Sequence, residues 1–360
     1  MSNDDLAKLL GDVQALAALD GNDKINLIRK LETSVASERR LRKTADLKWK
    51  QAEKDLDNAT RKIEFYEETT VPGKKLSVPK AKSRRPKKGK ATALFCLCDW
   101  HSEETVDPDT VKGMNAYDLD ICKKRLEKLW DKCGFLVEDA RSISDVRDAV
   151  VWLGGDHITG YIHDELVEGN SLSPTEASLF FQAQAETGIS RILSIDGIDR
   201  VTVLTSNGNH GRTTSRPRIS TGWKNSYEWM AYNNIERVFR DDPRVQFQIA
   251  RGYHNWLDIQ GHACRFHHGD HMKYGGGVGG LTIPVNKKIS QWDKATPARY
   301  DFFGHFHQFI WNWKWVSCGC LIGYNAYALS IGADPQPPTQ TFCVIDKDRG
   351  LVKAMPIFVE

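Results

Sequence analysis

The sequence predicts an α/β protein in which a strand-and-helix domain follows a helical arm and a basic linker. Residues 1–70 contain no histidine, cysteine or proline and are rich in residues that favour helices. A basic run that contains prolines separates them from the remainder. After Ala91, short apolar runs alternate with longer amphipathic stretches, which is the pattern of an α/β domain. We therefore predict an arm over 1–70, a flexible linker over 71–92 and an α/β domain over 93–360.

A regular apolar pattern in the arm predicts self-association. Its members lie alternately four and three residues apart, with charged residues between them: Ala45, Trp49, Ala52, Leu56, Ala59, Ile63 and Tyr66. This is the a/d pattern of a short coiled coil, and it predicts a homo-oligomer formed through the arm. The seam is rich in alanine and only about three heptads long. Packing of this helix on its own domain is therefore the alternative.

Positive charge is concentrated in the linker. Nine basic residues and no acidic ones lie between Gly73 and Lys90. The whole chain carries a formal charge of +3, so subtracting these nine charges leaves −6 for the remainder. Prolines among the basic residues oppose a packed core, which favours a solvated tether. Phosphates would also be attracted to such a run through counterion release, so a tether that also contacts a nucleic acid is the other expectation.

Composition and cysteine usage favour a soluble, cytoplasmic protein. Hydrophobic residues make up 40% of the chain and charged residues 27%, as in ordinary globular proteins. The acidic start does not resemble a secretory signal, and no apolar stretch reaches the ~18 residues that span a bilayer. The eight cysteines are scattered through a large domain. Two C-x-C pairs, Cys96/Cys98 and Cys318/Cys320, lie in strand-like contexts, so we expect buried thiols there and no zinc site.

Eight apolar runs after residue 91 are predicted as strands: Leu94–Cys98, Ala149–Leu153, Val201–Leu204, Val245–Ala250, Cys264–Phe266, Phe302–Phe303, Phe309–Val316 and Phe342–Ile345. Helices are predicted near 118–140, 172–194 and 224–240. Trp311, Trp313 and Trp315 alternate within one predicted strand and should share one face. Packing in the sheet is the expected role of that face, and stacking on nucleic-acid bases is the alternative.

Polar motifs follow several of these strands, at the edge where open α/β sheets place their ligand sites. In chain order they are Asp99-Trp100-His101, Gly155-Asp156-His157, Gly208-Asn209-His210-Gly211-Arg212, His267-His268-Gly269-Asp270 and Gly304-His305-Phe306-His307. All eleven histidines lie between residues 101 and 307. Imidazole and carboxylate groups suit divalent ions such as Mn²⁺, Zn²⁺ and Fe²⁺. Residues i and i+2 at a strand end project to the same side, so the D-x-H and H-x-H motifs should each supply a pair of ligands.

The order D-x-H, G-D, G-N-H, H-G and G-H-x-H over roughly residues 93–345 resembles the signature of the calcineurin-like metallophosphoesterase family. The resemblance implies a four-layer αββα sandwich with two divalent metal ions at the strand ends. Mn²⁺ is the foremost expectation, with Zn²⁺, Fe²⁺ and Ni²⁺ as alternatives. The resemblance implies one metal held by Asp99, His101, Asp156 and His307, and a second held by Asp156, Asn209, His268 and His305. His268 is preferred over His267 because the family's ligand directly precedes glycine.

Catalytic roles are also implied by the resemblance. Asp156 would bridge the metals, because a carboxylate offers two anionic oxygens to ions about 3.5–4 Å apart. His210 matches the family's catalytic histidine, which protonates the leaving oxygen or stabilises charge on the phosphoryl group. Support of a neighbouring ligand is the alternative role for His210. The nucleophile would be a metal-activated hydroxide, so no covalent phosphoenzyme is expected.

Three arginines depart from the family pattern. Gly211 and Arg212 follow the G-N-H motif where the family often has an acidic residue, and Arg216 and Arg218 come shortly after. Arginine can donate two parallel hydrogen bonds to phosphate oxygens, so Arg212, Arg216 and Arg218 are candidates for substrate binding. Surface arginines that only increase solubility are the alternative.

Thr159 marks a second departure. It stands three residues after Asp156, where the protein serine/threonine phosphatase branch has an aspartate that orients the catalytic histidine. A phosphatase of that branch is therefore less expected. His157, His163 and Asp164 are left as candidates for the partner that orients His210.

Segments 154–165 and 208–212 also resemble, in amino-acid sequence, phosphoesterases of tailed bacteriophages. The family includes DNA-repair exonucleases. We therefore expect a metal-dependent nuclease or phosphodiesterase that hydrolyses nucleic-acid phosphodiester bonds, in the host cytoplasm if the chain is phage-encoded. The alternatives are a phosphoprotein phosphatase and a small-molecule (nucleotide) phosphodiesterase. A non-catalytic scaffold is disfavoured, because every predicted ligand and His210 are present.

Overall fold

The chain forms two compact units, residues 1–74 and residues 75–360. A computed structural model describes residue 17 and residues 20–69, 90–273 and 280–360, without the side chains of residues 27, 31 and 65–69. Residues 71–89 of the predicted linker therefore lie outside the described residues. No helix in the described ranges is both long enough and apolar enough to cross a lipid bilayer.

One long helix, α1 (Gly21–Thr69), forms the described part of the arm. The side chain of Asp20 starts it, because its carboxylate accepts hydrogen bonds from the backbone N–H groups of Asn22 and Asp23, both at 2.9 Å. The helix predicted for the arm is thus present. Apolar side chains of its seam stand in solvent, with Trp49 73% and Leu56 68% exposed. The predicted coiled coil remains a prediction.

A six-stranded sheet forms the first half of the α/β unit, in the order β11-β10-β1-β2-β3-β4. Its strands are β1 (Ala91–Leu97), β2 (Val146–Leu153), β3 (Arg200–Thr205), β4 (Val245–Gln248), β10 (Thr339–Asp346) and β11 (Gly350–Phe358). The strands β1 to β4 run parallel, and β10 joins β1 antiparallel. Parallel strands covered on both faces are apolar throughout, and β1 is buried at every residue. The sheet starts at Ala91, inside the segment predicted as linker.

A five-stranded sheet forms the second half, in the order β5-β6-β7-β9-β8. Its strands are β5 (Asn255–Ile259), β6 (His262–Phe266), β7 (Tyr300–Phe303), β8 (Ile310–Asn312) and β9 (Trp315–Ser317). The central strands β6, β7 and β9 are parallel. A tight turn at Gln260 and Gly261, with φ of 57° and 87°, joins β5 to β6 as a hairpin that the sequence analysis missed.

Helices and sheets pack in layers around two cores. Side chains of both sheets meet in one core, to which Cys96, Trp152, Phe266 and Cys318 contribute. The helices are α2 (Leu119–Arg141), α3 (Asp164–Gly169), α4 (Pro174–Leu193), α5 (Tyr227–Phe239), α6 (Thr282–Asp293) and α7 (Ala326–Ser330), with 3₁₀ turns at Pro108–Val111 and Gly222–Asn225. Helices α2 and α4 contact strands of the six-stranded sheet, whereas α6 packs on β7 and β9 of the other sheet. The α/β class is confirmed, and α2, α4 and α5 lie where helices were predicted.

The prediction of one strand over Phe309–Val316 is wrong. The segment is a hairpin, with β8 and β9 antiparallel and a turn at Trp313 and Lys314. The side-chain oxygen of Asn312 accepts from the N–H of Lys314 at 3.3 Å, a local bond that favours a turn over continued strand. Trp315 is therefore fully buried while Trp313 is 80% exposed, and the three tryptophans do not share a face.

Close packing of α2 on α4 gives a test of the fold. A Cβ atom at Gly188 would lie 2.5–2.7 Å from ring atoms of Trp130. We predict that Gly188→Ala lowers the free energy of unfolding by about 1–3 kcal/mol, because the buried ring has no space to move. The matched helix variant Gly134→Ala meets no atom within 4 Å and should stabilise by up to ~1 kcal/mol. Denaturant titration of both would contradict this packing if the two variants were equally stable.

Candidate metal centre

Five loops from the two sheets meet at one edge of the α/β unit, each at the carboxyl end of a parallel strand. The backbone ladder continues past the strand ends: the N–H of Asp99 donates to Gly155 O at 2.9 Å, and that of Gly154 donates to Leu97 O at 2.7 Å. In the second sheet, the N–H of Gly304 donates to His268 O at 2.8 Å. These bonds fix the loops after β1 and β2 to each other, and the loops after β6 and β7 likewise.

The predicted ligands come together at this edge. Three groups have ligand atoms that all lie within 4.8 Å of one another: Asp99, His101 and His307; His101, Asp156 and His210; and Asp156, His268 and His305. Asn209 joins the third group, because its Oδ1 lies 3.1 Å from Nε2 of His268. His101 belongs to the first and second groups and Asp156 to the second and third, so these two residues link the three groups.

The backbone of the ligands is unusual. Seven non-glycine residues among the described ones have positive φ, and five of them are predicted ligands: Asp99 (53°), His101 (47°), Asp156 (52°), His305 (70°) and His307 (56°). Each such conformation costs about 1–3 kcal/mol and persists only where the surroundings enforce it. The D-x-H and H-x-H pairs therefore converge through left-handed turns. They do not follow the pleat of an extended strand.

Two glycines permit the loops to approach this closely. A Cβ atom at Gly208 would lie 2.1 Å from Oδ1 and 2.2 Å from the backbone N of Asp156. A Cβ atom at Gly304 would lie 2.4 Å from Oδ2 of Asp99. Both distances are far below van der Waals contact, so any side chain at these positions would displace a carboxylate of the site.

Hydrogen bonds on the far side of the rings set which nitrogen faces the site. Nδ1 of His268 donates to the carbonyl oxygen of Gly154 at 2.9 Å, and Nδ1 of His101 lies 3.1 Å from the hydroxyl of Thr159. Both rings thus direct Nε2 inward. The backbone N–H of His305 donates to the Asp99 carboxylate at 2.9 Å and holds it in place. Such outer partners fix the tautomer and orientation of metal-binding histidines.

Burial and neighbouring charges adjust the protonation of the site. Burial lowers the pKa of His307 to about 3 and that of His305 to about 4, so both imidazoles are neutral at pH 7. Burial raises the pKa of Asp99 to about 7, against the opposing effect of His268. Burial alone would lower the pKa of His268, but the carboxylate of Asp156 raises it well above its ordinary value.

The donor set fits divalent cations. Nε2 of His268 faces the oxygen Oδ2 of Asp156 at 2.8 Å and Oδ1 of Asn209 at 3.1 Å. Nε2 of His101 faces Nε2 of His307 at 3.2 Å. Each of these atoms offers a lone pair inward once any proton on it is released, so neighbouring lone pairs need a proton or a cation between them. Carboxylate, amide and neutral imidazole donors are those that Mn²⁺, Fe²⁺ and Zn²⁺ use.

His267 is placed away from the donor set. Its ring stacks on Phe303 with centroids 5.4 Å apart, and its Nε2 lies 3.7 Å from Asp301. His268, the next residue, lies in the third ligand group. Alternate side chains after β6 therefore divide between core and site.

The backbone of Thr159 orients His210. Nδ1 of His210 donates to the carbonyl oxygen of Thr159 at 2.9 Å, and the N–H of His210 donates to Oδ1 of Asp156 at 2.7 Å. The three partners suggested by the sequence do not have this role: His157 stacks on Phe181 in the core, and His163 and Asp164 are exposed at the start of α3. A main-chain carbonyl group, and not one of these three side chains, therefore orients His210.

Sequence reasoning missed two buried carboxylates that brace the loops. Glu228 accepts from the N–H of His157 at 2.7 Å and from that of Gly208 at 2.9 Å, which ties the loops after β2 and β3 together. Glu103 accepts from the N–H groups of Thr159 and Gly160, both at 2.8 Å. Glu103 follows the D-x-H motif closely, a signal that was present. Glu228 lies in a helix, where its sequence context gives no signal.

The predicted substrate arginines differ in their surroundings. The guanidinium of Arg212 donates to the carbonyl oxygens of Asn209 and Thr214, so it braces its own loop. Arg216 and Arg218 are exposed. Substrate binding by these three residues remains a prediction.

Comparison with known proteins gives remote similarities. No protein-family model and no curated protein sequence matches the chain. Wild-type Vps29 from Entamoeba histolytica, solved with Zn²⁺, is 9% identical with a TM-score of 0.32, over 74% of this chain and 99% of that one. A predicted phosphoesterase from Streptococcus pneumoniae is 10% identical with a TM-score of 0.26, over 74% and 98%. Sulfate thiohydrolase SoxB from Thermus thermophilus, with glycerol, is 10% identical with a TM-score of 0.29, over 77% and 58%. Similarity at these levels does not establish a family for the chain.

The contact of Gly208 with Asp156 gives a test of the site. We predict that Gly208→Ala weakens Mn²⁺ binding by at least ~10-fold, the scale on which displaced supporting groups act on metal sites. The control is Gly222→Ala in the same connection between β3 and α5, where a Cβ meets no atom within 4 Å. Isothermal titration calorimetry on the ion-free variants measures both affinities. Equal affinities for the two variants would contradict the geometry described.

Proposed function

We propose that the chain is a metal-dependent phosphoesterase of the calcineurin-like metallophosphoesterase family, and that it hydrolyses phosphodiester bonds of nucleic acids. One observation carries the proposal: imidazole and carboxylate donors from five loops of two sheets converge into groups whose ligand atoms lie within 4.8 Å of one another. The packing of helices on the outer faces of two facing sheets supports the four-layer αββα architecture of that family.

The two metal sets of the family map onto the observed groups. Asp99, His101, Asp156 and His307 would hold one ion, and Asp156, Asn209, His268 and His305 the other. Two divalent ions, Mn²⁺ foremost, would supply Lewis-acid activation of a phosphoryl oxygen and of the attacking water. The shared carboxylate of Asp156 would hold both sites at a fixed separation. The hydrogen bond from Nδ1 of His268 to the Gly154 carbonyl fixes the orientation of that ring. The imidazoles of His305 and His307 are neutral and so have a lone pair for a cation.

His210 is positioned for proton transfer. Its Nδ1 is committed to the carbonyl of Thr159, so Nε2 is the atom available to substrate. One of its ring nitrogens lies within 4.8 Å of ligand atoms of His101 and Asp156. A protonated Nε2 there would donate to the leaving oxygen, and the Thr159 carbonyl would hold the ring against rotation.

Nucleic acid, with DNA favoured, is the proposed substrate because positive charge is concentrated in two segments of the sequence. The nine basic residues between Gly73 and Lys90 precede the domain, and Arg216 and Arg218 follow His210 in the chain. The absence of an aspartate at Thr159 gives no support to the protein phosphatase branch.

Replacing His210 separates catalysis from metal binding. We predict that His210→Gln lowers kcat for a phosphodiester reporter by about 10²–10⁴, the range for loss of a general acid, while Mn²⁺ affinity stays within a few-fold. His163→Gln, an exposed histidine on the neighbouring loop, should leave kcat unchanged. Steady-state kinetics and calorimetry on the same samples measure both quantities. An equal loss in both variants, or loss of metal binding with kcat per bound metal unchanged, would refute the role of His210.

Replacing the shared carboxylate tests the metal assignment. We predict that Asp156→Asn abolishes hydrolysis of linear DNA, single-stranded DNA and a diester reporter in the presence of Mn²⁺, because an amide cannot offer two anionic oxygens. Gel assays and reporter kinetics measure the loss, and wild-type protein on a monoester reporter is the comparison. Unchanged turnover in the variant would refute the assignment. A wild-type preference for the monoester with no action on DNA would refute the nucleic-acid substrate.

A further inference from the structure

A loop with several cationic side chains follows His210 in the chain. Residues 213–225 form a loop whose two ends are pinned together: Arg212 and Ser226 form an antiparallel bridge, and the N–H of Thr213 donates to Asn225 O at 2.9 Å. The N–H of Tyr227 donates to Gly211 O at 2.9 Å. The base of the loop is thus fixed within two residues of Asn209 and His210.

The charged residues of the loop 213–225 are all positive. Between residues 211 and 227 there are two arginines and one lysine besides Arg212, and no aspartate or glutamate. Arg216, Arg218 and Lys224 are all exposed. Exposed cations without neighbouring carboxylates in their own segment are available to an anionic ligand.

Trp223 gathers cations from two loops. Nζ of Lys224 lies 5.3 Å and Cζ of Arg251 5.1 Å from the centroid of its ring, within the range of cation–π contacts. Arg251 belongs to the loop after β4, whose Tyr253 hydroxyl accepts from the N–H of Gly269 at 3.2 Å. The cations around Trp223 are therefore connected both to the His210 loop and to the loop that carries His268.

We infer that Arg216, Arg218, Trp223, Lys224 and Arg251, the cationic strip, bind the phosphate backbone of a polynucleotide strand that leads into the metal centre. The inference rests on the proposed function and specifies how its substrate is held. The Trp223 ring already contacts two cations, so its role is to hold their side chains in place and not to stack on a base. The strip therefore binds phosphates without regard to base sequence.

The test removes two charges of the strip in the full chain. Lys224→Ala/Arg251→Ala is compared with Lys124→Ala/Lys128→Ala, which removes two exposed lysines from α2. Binding of a fluorescent single-stranded 20-mer is measured against NaCl concentration. The strip variant should lower the salt slope by about 1.4, which is ~0.7 per lost phosphate contact. The control variant should keep the wild-type slope.

Hydrolysis of a small diester reporter separates this inference from the proposed function. The strip variant should keep the wild-type kcat and KM for the reporter, because the reporter does not reach the strip. A strip variant that binds the 20-mer with the control's slope overturns the inference. The inference is also overturned if the strip variant loses binding of a phosphopeptide while wild-type protein does not bind the 20-mer. Failure of wild-type protein to hydrolyse any reporter overturns the proposed function alone.

The arm supports a second, independent inference. In the heptad phase of its apolar seam, position a holds Trp49, Leu56 and Ile63, which are 73%, 68% and 58% exposed. Position d holds Ala45, Ala52 and Ala59, followed by Tyr66. A single helix gains little stability without burying such a stripe, so its length and exposure require a partner surface.

Charges beside the seam select the partner and its direction. Lys48 occupies a g position and Glu53 the following e position; Lys62 and Glu67 repeat this arrangement. In a parallel, in-register pair each g residue meets the following e residue of the other helix, so both pairs are of opposite charge. An antiparallel pair would set acidic e residues against each other. We propose that two copies of this chain form a parallel, in-register coiled coil through residues 45–66.

An introduced cysteine tests direction and register together. All eight native cysteines are buried, so a thiol at Ala52 is the reactive one under mild oxidation. Equivalent d positions of a parallel pair lie within disulfide range, so Ala52→Cys should form a covalent dimer of the full chain. Lys50→Cys, at an outward b position, should not. A monomer by light scattering at micromolar concentration overturns the proposal, and so does a dimer in which Ala52→Cys fails to cross-link.

Discussion

The carboxylate of Asp156 joins the parts of the site, and the rest of the arrangement depends on it. One oxygen accepts from the N–H of His210 at 2.7 Å, and the other lies 2.8 Å from Nε2 of His268. These contacts connect the loops after β2, β3 and β6, and so connect both sheets. The residue is only 1% exposed. Burying a carboxylate costs free energy unless positive charge and hydrogen bonds compensate it. The burial of Asp156 therefore depends on the groups around it, which include His210 and His268.

Strain at the ligands is stored where the sheets hold the chain firmly. Five ligands have positive φ, yet the strands before them are fixed by parallel ladders and a core shared by the two sheets. Glu228 and Glu103 add hydrogen bonds to N–H groups that the turned loops leave without ladder partners. Left-handed backbone at Asp99 and His101 is thus maintained by contacts elsewhere, which is a common property of preorganised sites.

The motifs made much of the site predictable, whereas tertiary contacts decided the remainder. Asp99, Asp156 and His268 each follow an apolar run predicted as a strand, so their convergence was expected from the place of ligand sites in α/β sheets. The partner of His210 was not predictable, because a main-chain carbonyl has no residue identity. The bracing role of Glu228 depends on where α5 packs, which no local pattern records. In the Trp311 segment, period-two alternation predicted one strand, and a turn at Trp313 prevailed because Asn312 satisfies the backbone locally.

The α/β class and most strand positions were also accessible from apolar runs, whereas the edge strand β11 and the short hairpin of β5 with β6 were not predicted. Its β5 strand has polar residues and only part of it is buried. It pairs because the turn at Gln260 and Gly261 returns the chain onto itself. Strands of this kind are determined by turn geometry more than by hydrophobic pattern.

The most direct test of the account is a titration of ion-free protein with Mn²⁺, in which hydrolysis of a phosphodiester reporter is recorded against equivalents of metal per chain. We predict no turnover without metal and a rise that reaches its plateau at about two equivalents, as a two-metal site requires. Full turnover in the ion-free protein, or a plateau at one equivalent, would contradict it.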